Sequence, residues 1–557
     1  MKNIKILNYR NLHSLPTLVL FAVLSLLQYE AQGQTIIDVK EFETLDDGIL
    51  IPRMNLNNVT SPYGSQLVFD NINDRYVWYD IIGGSWRTLL SGYNDNDGNL
   101  LVGASNYNII SNSFNNTAFG DNSLLSITSG VQNTAIGTSA LITITNQTDN
   151  TAVGSYALIN NLTSGNTAVG SLACMQNTTG NFNTAIGTYS MSSNTTGDYN
   201  TAVGNSSLSS NIDGDGNTAI GVSALASNTG GSNNSTLGPF TLFSNTIGIY
   251  NIAIGSSALE KNIDGNENTA VGSAAMFNNT SGFQNTAVGS YSLHDNTTGN
   301  DNTVLGTRSM YKNTTGKLNT AVGAESLYFN IGGLQNVAIG YRALNENTFG
   351  NWNVSIGNYA GDNNKTGIDN IALGWSADVS SDNLTNTIGF GSFTTVNATN
   401  KVRVGNSSIT VIEGQVNFSS PSDGRFKYDV EETIPGLQFI NALRPVQYKF
   451  DYKKFDEHVN QDNASNERTQ DYSATSPLQS GFIAQEVESA AQSIDYDFHG
   501  LITPQNLTDN YGLRYAEFVV PLTKAVQELS DENEELKQVV NKLVKEMEDL
   551  KNRLIKD

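Results

Sequence analysis

Residue types that do chemistry are scarce in this chain. It has one cysteine, Cys174, and four histidines, His13, His294, His458 and His499, none at metal-ligand spacing from another. That inventory builds neither a cysteine zinc site nor an internal disulfide framework, and no metal or cofactor is expected. One stretch stands apart. Ser420-Pro421-Ser422-Asp423-Gly424-Arg425-Phe426-Lys427 sets a lysine five residues after a serine. A serine hydroxyl is a poor nucleophile until a base removes its proton. A lysine amine does that only where burial or a cationic neighbour lowers its pKa. Read alone, Ser422-Asp423-Gly424 is a turn and Arg425-Phe426-Lys427 a solvated strand. Elsewhere the acidic residues, Asp121, Asp149, Asp198, Asp213 and Asp264 among them, occupy variable turn positions and form no evident acid–base pair of the kind glycoside hydrolysis needs.

The scaffold around these residues is a repeat. Of 557 residues only 15% are charged and 38% hydrophobic, while Gly numbers 51 and Pro 10. The net charge of −23 argues against nucleic acid as a partner. An Asn-x-x-(Val/Ile/Leu/Phe)-Gly pattern carries its Gly at Gly103, Gly120, Gly137 and Gly154, then from Gly170 to Gly374. Every step is 17 residues except the 16 from Gly154 to Gly170. Around it the consensus reads N-T-A-(V/I)-G-x-x-(A/S)-L-x-x-N-x-x-G-x-x. Strand alternation puts Thr134 and Ile136 on one face and Asn133 and Ala135 on the other. Four residues past the Gly comes an apolar anchor: Leu141, Leu158, Cys174, Met191, Leu208 and onward. A second Gly, such as Gly180, Gly197, Gly282, Gly299 or Gly316, follows a turn and suits a positive φ. The reading is two very short strands per repeat. Stacking then buries the Val/Ile and Leu columns and aligns the Asn side chains in ladders. The fold class is mainly β, a long parallel β-solenoid or β-roll on the order of 80 Å long. The anchor column fails at Gly361 and Asp378, where a cap is expected. Cys174 reads as a core residue, and the absence of a Gly-Gly-x-Gly-x-Asp pattern disfavours calcium.

Six segments follow. Residues 1–34 read as a signal peptide: Lys2, Lys5 and Arg10 precede the apolar run from Leu15 to Leu27, and Ala31-Gln32-Gly33 supply a cleavage region. That run is too short for a confident membrane span, so an exported mature chain without one is expected. Residues 35–95 form a small β domain whose Trp78 and Trp86 read as core packing in preference to a carbohydrate platform. The solenoid spans 96–395 and a β connector 396–419. A small α+β domain covers 420–520, and 521–557 is a heptad helix. Leu522, Leu529, Leu536, Leu543 and Leu550 occupy d; Val526, Asn533, Val540, Met547 and Leu554 occupy a. This pattern predicts a parallel coiled coil. Val at a with Leu at d favours two strands, and Asn533 fixes register.

Two resemblances bear on function. The repeat unit, over roughly residues 99–390, resembles the heads of trimeric autotransporter adhesins, which implies trimers packed side by side. Three motifs then occur in order. They are Ser422-Asp423-x-Arg425-x-Lys427, then Ile440, Leu443, Pro445, Val446 and Tyr448, then Gly481-Phe482-Ile483-Ala484-Gln485-Glu486-Val487. This set, over about residues 420–545, resembles the intramolecular chaperone domain of phage endosialidases, tail spikes and L-shaped tail fibres. That domain assembles as a trimer, drives folding of the fibre ahead of it and cuts itself off as a serine peptidase. The resemblance implies Ser422 as nucleophile and Lys427 as general base. Arg425 would press on the pKa of Lys427 or hold a carboxylate such as Asp423, and Glu486 would contribute across the trimer. Attack on the Pro421 carbonyl passes through a five-membered ring. Attack by Ser422 on its own carbonyl needs a four-membered one, unless another subunit's serine acts.

The expected protein is therefore a secreted or cell-surface homotrimeric fibre with a self-releasing chaperone, taking a cell-surface glycan or protein as ligand. The competing readings are a glycan-active enzyme on a solenoid and a structural fibre with an uncleaved trimerisation domain. An ice-binding face is a third, because Thr134, Thr151, Thr184 and Thr201 begin a column; Ile252 and Val337 interrupt it.

Overall fold

The computed structural model describes strand backbones between Thr44 and Leu90, then residues 98–102, 113–416, 419–459 and 476–555. The expected signal peptide and the side chains of Trp78 and Trp86 lie outside the described residues. The chain forms two units, residues 1–92 and 93–557. In the first, Thr44–Leu45 pairs antiparallel with Gly48–Ile49. Arg53–Met54, Leu67–Asp70, Arg75–Asp80 and Ser85–Leu90 form a four-stranded sheet, its first pair parallel and the others antiparallel.

In the second unit, nineteen three-residue strands run from Leu100–Val102 to Val402–Val404 in one parallel ladder. Register follows the repeat: Thr184, Ala185 and Ile186 pair with Thr201, Ala202 and Val203. Each 17-residue step is thus one coil of a β-solenoid, and even the 16-residue step keeps Thr151 opposite Thr167.

Two asparagine ladders hold the coils together. Before each strand, the Oδ1 of Asn183 accepts from the backbone N–H of Asn200 at 2.9 Å, and the same contact recurs from Asn200 to Asn217. In the turn, Nδ2 of Asn211 donates to Oδ1 of Asn194 at 2.7 Å and to the Gly214 carbonyl at 2.9 Å. These side chains are fully buried. Only a residue with both an acceptor and a donor on one short amide satisfies the neighbouring coil and the local turn together.

The interior differs from the sequence expectation in three ways. The buried strand column is alanine: Ala185, Ala202 and Ala219 are fully covered, whereas Ile186 is 40% exposed and Ile136 39%. With the turn anchor filling most of the coil, the inward position is alanine in most coils, although Thr236 and Val304 also fit there at 3% and 1% exposure; Thr and Val/Ile share the outer face. Secondly, each regular coil has one strand, not two. The anchors sit in turns with left-handed backbone, as at Cys174 (φ 47°), Met191 (φ 53°) and Leu208 (φ 51°). That conformation costs about 1–2 kcal/mol for an L-residue, and burying a leucine returns about 1.5–3 kcal/mol. Thirdly, the second Gly does not have positive φ. A Cβ on Gly197 would lie 2.4 Å from the Gly214 carbonyl oxygen and 2.6 Å from Asn194 Oδ1, so close stacking excludes a side chain there. Positive φ belongs to the first Gly, such as Gly204 at +139°.

The solenoid does not end where the leucine column fails. Asp378–Val379 pairs with Thr395–Val396 in a second short ladder, while Ile388–Phe390 and Val402–Val404 extend the first. Backbone pairing does not need the anchor.

After the solenoid come helices α1 (Leu437–Ala442), α2 (Tyr452–Val459), α3 (Ala484–Gln492) and α4 (Val519–Leu554). Val446–Lys449 pairs antiparallel with Leu478–Gly481, and Leu501–Ile502 with Gly512–Leu513. The core is aromatic. Phe439 of α1 is fully buried against Tyr496 and Phe498, and Phe518 closes it from the start of α4. Glu528 of α4 accepts from the Leu437 N–H at 2.6 Å, fixing α1 to α4. Beyond that contact the heptad positions are bare: Leu536 is 61% exposed and Met547 69%.

Candidate functional site

Ser422 and Lys427 lie on the segment between solenoid and α1, and a single 3-10 turn, Gly424–Phe426, brings them together. Asp423 caps that turn, its Oδ1 accepting from the Arg425 N–H at 2.9 Å. The Arg425 guanidinium grips the same carboxylate at 2.6–3.1 Å. With the turn pinned, Lys427 Nζ donates to Ser422 Oγ at 2.7 Å.

The electrostatics sort the supporting residues. Arg425 donates to Asp423 through its side chain and its amide, which holds the Asp423 carboxyl below the usual range. Of the two roles open to Arg425, the geometry has it holding a carboxylate. Glu486, in the first turn of α3, is not joined to these four residues. It pairs with Arg444, whose Nε lies 3.0 Å from its Oε2, and that contact depresses the Glu486 carboxyl. Sequence reasoning did not single out Arg444, because 42 residues separate it from Glu486. Neither carries a spacing signal.

The site is open. Ser422 and Lys427 are exposed, and Phe426 and Tyr428 beside them are 78% and 85% exposed. A lysine in water donates to a hydroxyl; taking its proton requires desolvation. The arrangement is therefore a hydroxyl and an amine at proton-transfer distance, in a segment whose apolar side chains Phe426 and Tyr428 are exposed among the described residues.

Residues 422–496 match the profile of the chaperone of endosialidase family. The match begins at Ser422 and takes in Lys427, the Val446–Lys449 and Leu478–Gly481 strand pair and α3, so both halves of the candidate dyad and Glu486 fall within the matched segment. No curated protein matches the chain. The chain therefore joins a β-solenoid to a segment similar to the chaperone of endosialidase, an arrangement that fits a tail-fibre or spike-like protein. Among the described residues no helix is long and apolar enough to cross a membrane.

Proposed function

We propose that this protein is an exported homotrimeric fibre whose C-terminal domain directs trimer folding and then severs itself beside Ser422. The contact that carries this reading is Lys427 Nζ to Ser422 Oγ at 2.7 Å, at the first residues of the chaperone match. In the reaction, Ser422 Oγ gives its proton to neutral Lys427 and adds to the Pro421 carbonyl. The C–N bond breaks as the nitrogen gains a proton, leaving an ester that water hydrolyses. The products are a chain ending at the Pro421 carboxylate and a fragment beginning at Ser422 with a free amine. Closure of the trimer over Phe426 and Tyr428 would desolvate Lys427, so cutting would follow correct assembly.

The trimer is supported by unpartnered apolar surface on one chain. The outer strand column carries Ile186, Ile220, Leu237 and Ile254 at 37–51% exposure, and the α4 stripe is bare from Leu529 to Leu554. An apolar hollow lined by Ile440, Leu443, Pro445, Phe482, Phe518 and Leu522 continues that stripe. Export rests on the basic and apolar pattern of residues 1–34, and the ligand class, a surface glycan or protein, on the fibre architecture.

The test is intact-mass analysis of wild type beside Ser422→Ala and Lys427→Ala. We expect wild type to split between Pro421 and Ser422, and both variants to remain whole with self-cleavage slowed about a thousandfold or more. A folded wild-type trimer that stays uncut would make the domain a permanent trimeriser and remove the dyad.

A further inference from the structure

The solenoid and the C-terminal domain are joined twice, and only one of the joints is covalent. The covalent joint is the stretch bearing Ser422. Among the described residues from 408 to 433 every one is exposed except Asp423, which is half-buried. Ser408 and Ile409 bond back to Asn406, and the described residues beyond them in this stretch stand open to solvent.

The second joint is a direct contact made elsewhere. The loop from Gln505 to Asn510 sits against the last coils. Asp509, only 4% exposed, accepts from Lys401 Nζ at 2.8 Å, and its other oxygen accepts from the Gln505 N–H at 3.0 Å. Lys401 also donates to Asn397 Oδ1 at 2.8 Å. Asn397 donates to the Thr508 carbonyl at 2.6 Å, and Asn506 donates back to the Asn397 carbonyl at 2.9 Å. Ser380 and Thr508 hydroxyls meet at 3.2 Å. From α2, Asp456 accepts from Ser407, and the Arg403 guanidinium lies 5.4 Å over the Phe455 ring. On one side stand Ser380, Asn397, Lys401, Arg403 and Ser407, all before residue 422. Every residue on the other side comes after it.

Cutting at Ser422 therefore breaks none of these contacts. We infer that the severed fragment, residues 422–557, stays seated on the end of the solenoid as a non-covalent cap, latched by the pair between the half-buried Lys401 and the buried Asp509. Release is then a separate event from cleavage. The cap sits at the C-terminal end of the stack, where backbone groups of the last coil would otherwise meet water or another chain. Loss of Lys401 leaves the buried Asp509 carboxylate without its cation, and loss of the Asp509 charge removes the ion pair across the joint, so the latch is the sensitive point. Its loss is expected to weaken the seat by about a hundredfold or more.

This rests on the cleavage reading, and the experiment separates the two. A protease recognition sequence is placed in the exposed stretch 411–416 of the full-length Ser422→Ala protein, and the chain is cut there by added protease. Size-exclusion chromatography at neutral pH then follows both pieces. Co-elution of the C-terminal piece with the solenoid is expected, whether or not self-cleavage exists. The same cut in Lys401→Met or Asp509→Asn should let the piece elute alone, with the solenoid still folded by circular dichroism. Separation of the unsubstituted pieces overturns the cap. Co-elution that both variants leave unchanged overturns the latch. Self-cleavage is read apart from this, from the mass of the unmodified protein.

Discussion

Each coil is specified by a few side chains whose replacement has a calculable cost. Asn234 accepts from the Asn251 N–H at 3.0 Å and donates to the Gly248 carbonyl at 2.9 Å, fully buried. Asn234→Ala leaves the buried Asn251 N–H without a partner, while the Gly248 carbonyl keeps the Asn245 amide, and should cost about 1–3 kcal/mol in denaturant unfolding. Cys174 is the opposite case, a residue that packs and does not react. Burial pushes its thiol up to about 12, so the folded protein should resist maleimide labelling at pH 8 and label fully only when unfolded. The sequence reading of Cys174 as a core residue agrees with its full burial. The inward turn of Ala202 in place of Val203 was not legible, because alternation alone cannot say which face of a strand is the narrow one.

Among the elements, the last coils depart most from the repeat and carry its buried acids. Burial raises the Asp362 carboxyl to about 6, Arg342 opposing and Glu346 adding to it. Asp378 is raised well above the usual carboxylate range, again by burial, despite donation from the Val379 and Asn363 N–H groups. An acid whose pKa is raised on folding holds its proton in the folded state after the unfolded chain has lost it. Between about pH 4 and 6 stability must therefore fall as pH rises. The melting temperature of these coils should be higher at pH 5 than at pH 7. Asp362→Asn should raise it at pH 7 by a few degrees and flatten the profile. Asp509 works the other way. Burial opposes its ionisation, but Lys401 and the Gln505 and Asn510 amides prevail and lower its pKa, so its contribution is lost as pH falls below about 4. The failing anchor column marked these coils as unusual. It could not reveal that Asp378–Val379 pairs with Thr395–Val396, since that pairing depends on which turns the stack brings side by side.

At the scale of the whole molecule, the proposed trimer is tested by mass. Uncut Ser422→Ala should have three times the mass of its chain in light scattering, and Leu536→Glu with Leu543→Glu should lower it by exposing charge along the α4 stripe. The 17-residue period by itself determined a stacked parallel solenoid, because a repeat that cannot bury its own apolar face must stack on its copies. The heptads determined a long helix with one apolar stripe. The pairing of Ser422 with Lys427 was implied by the resemblance alone, since the residues by themselves read as a turn and a solvated strand. Contacts between distant segments came only from tertiary structure: Glu486 on Arg444, and Asp509 on Lys401 across 108 residues. Local patterns carry the period of a strand or helix and the reach of a turn. Which loop lands on which coil is decided by how the finished elements pack.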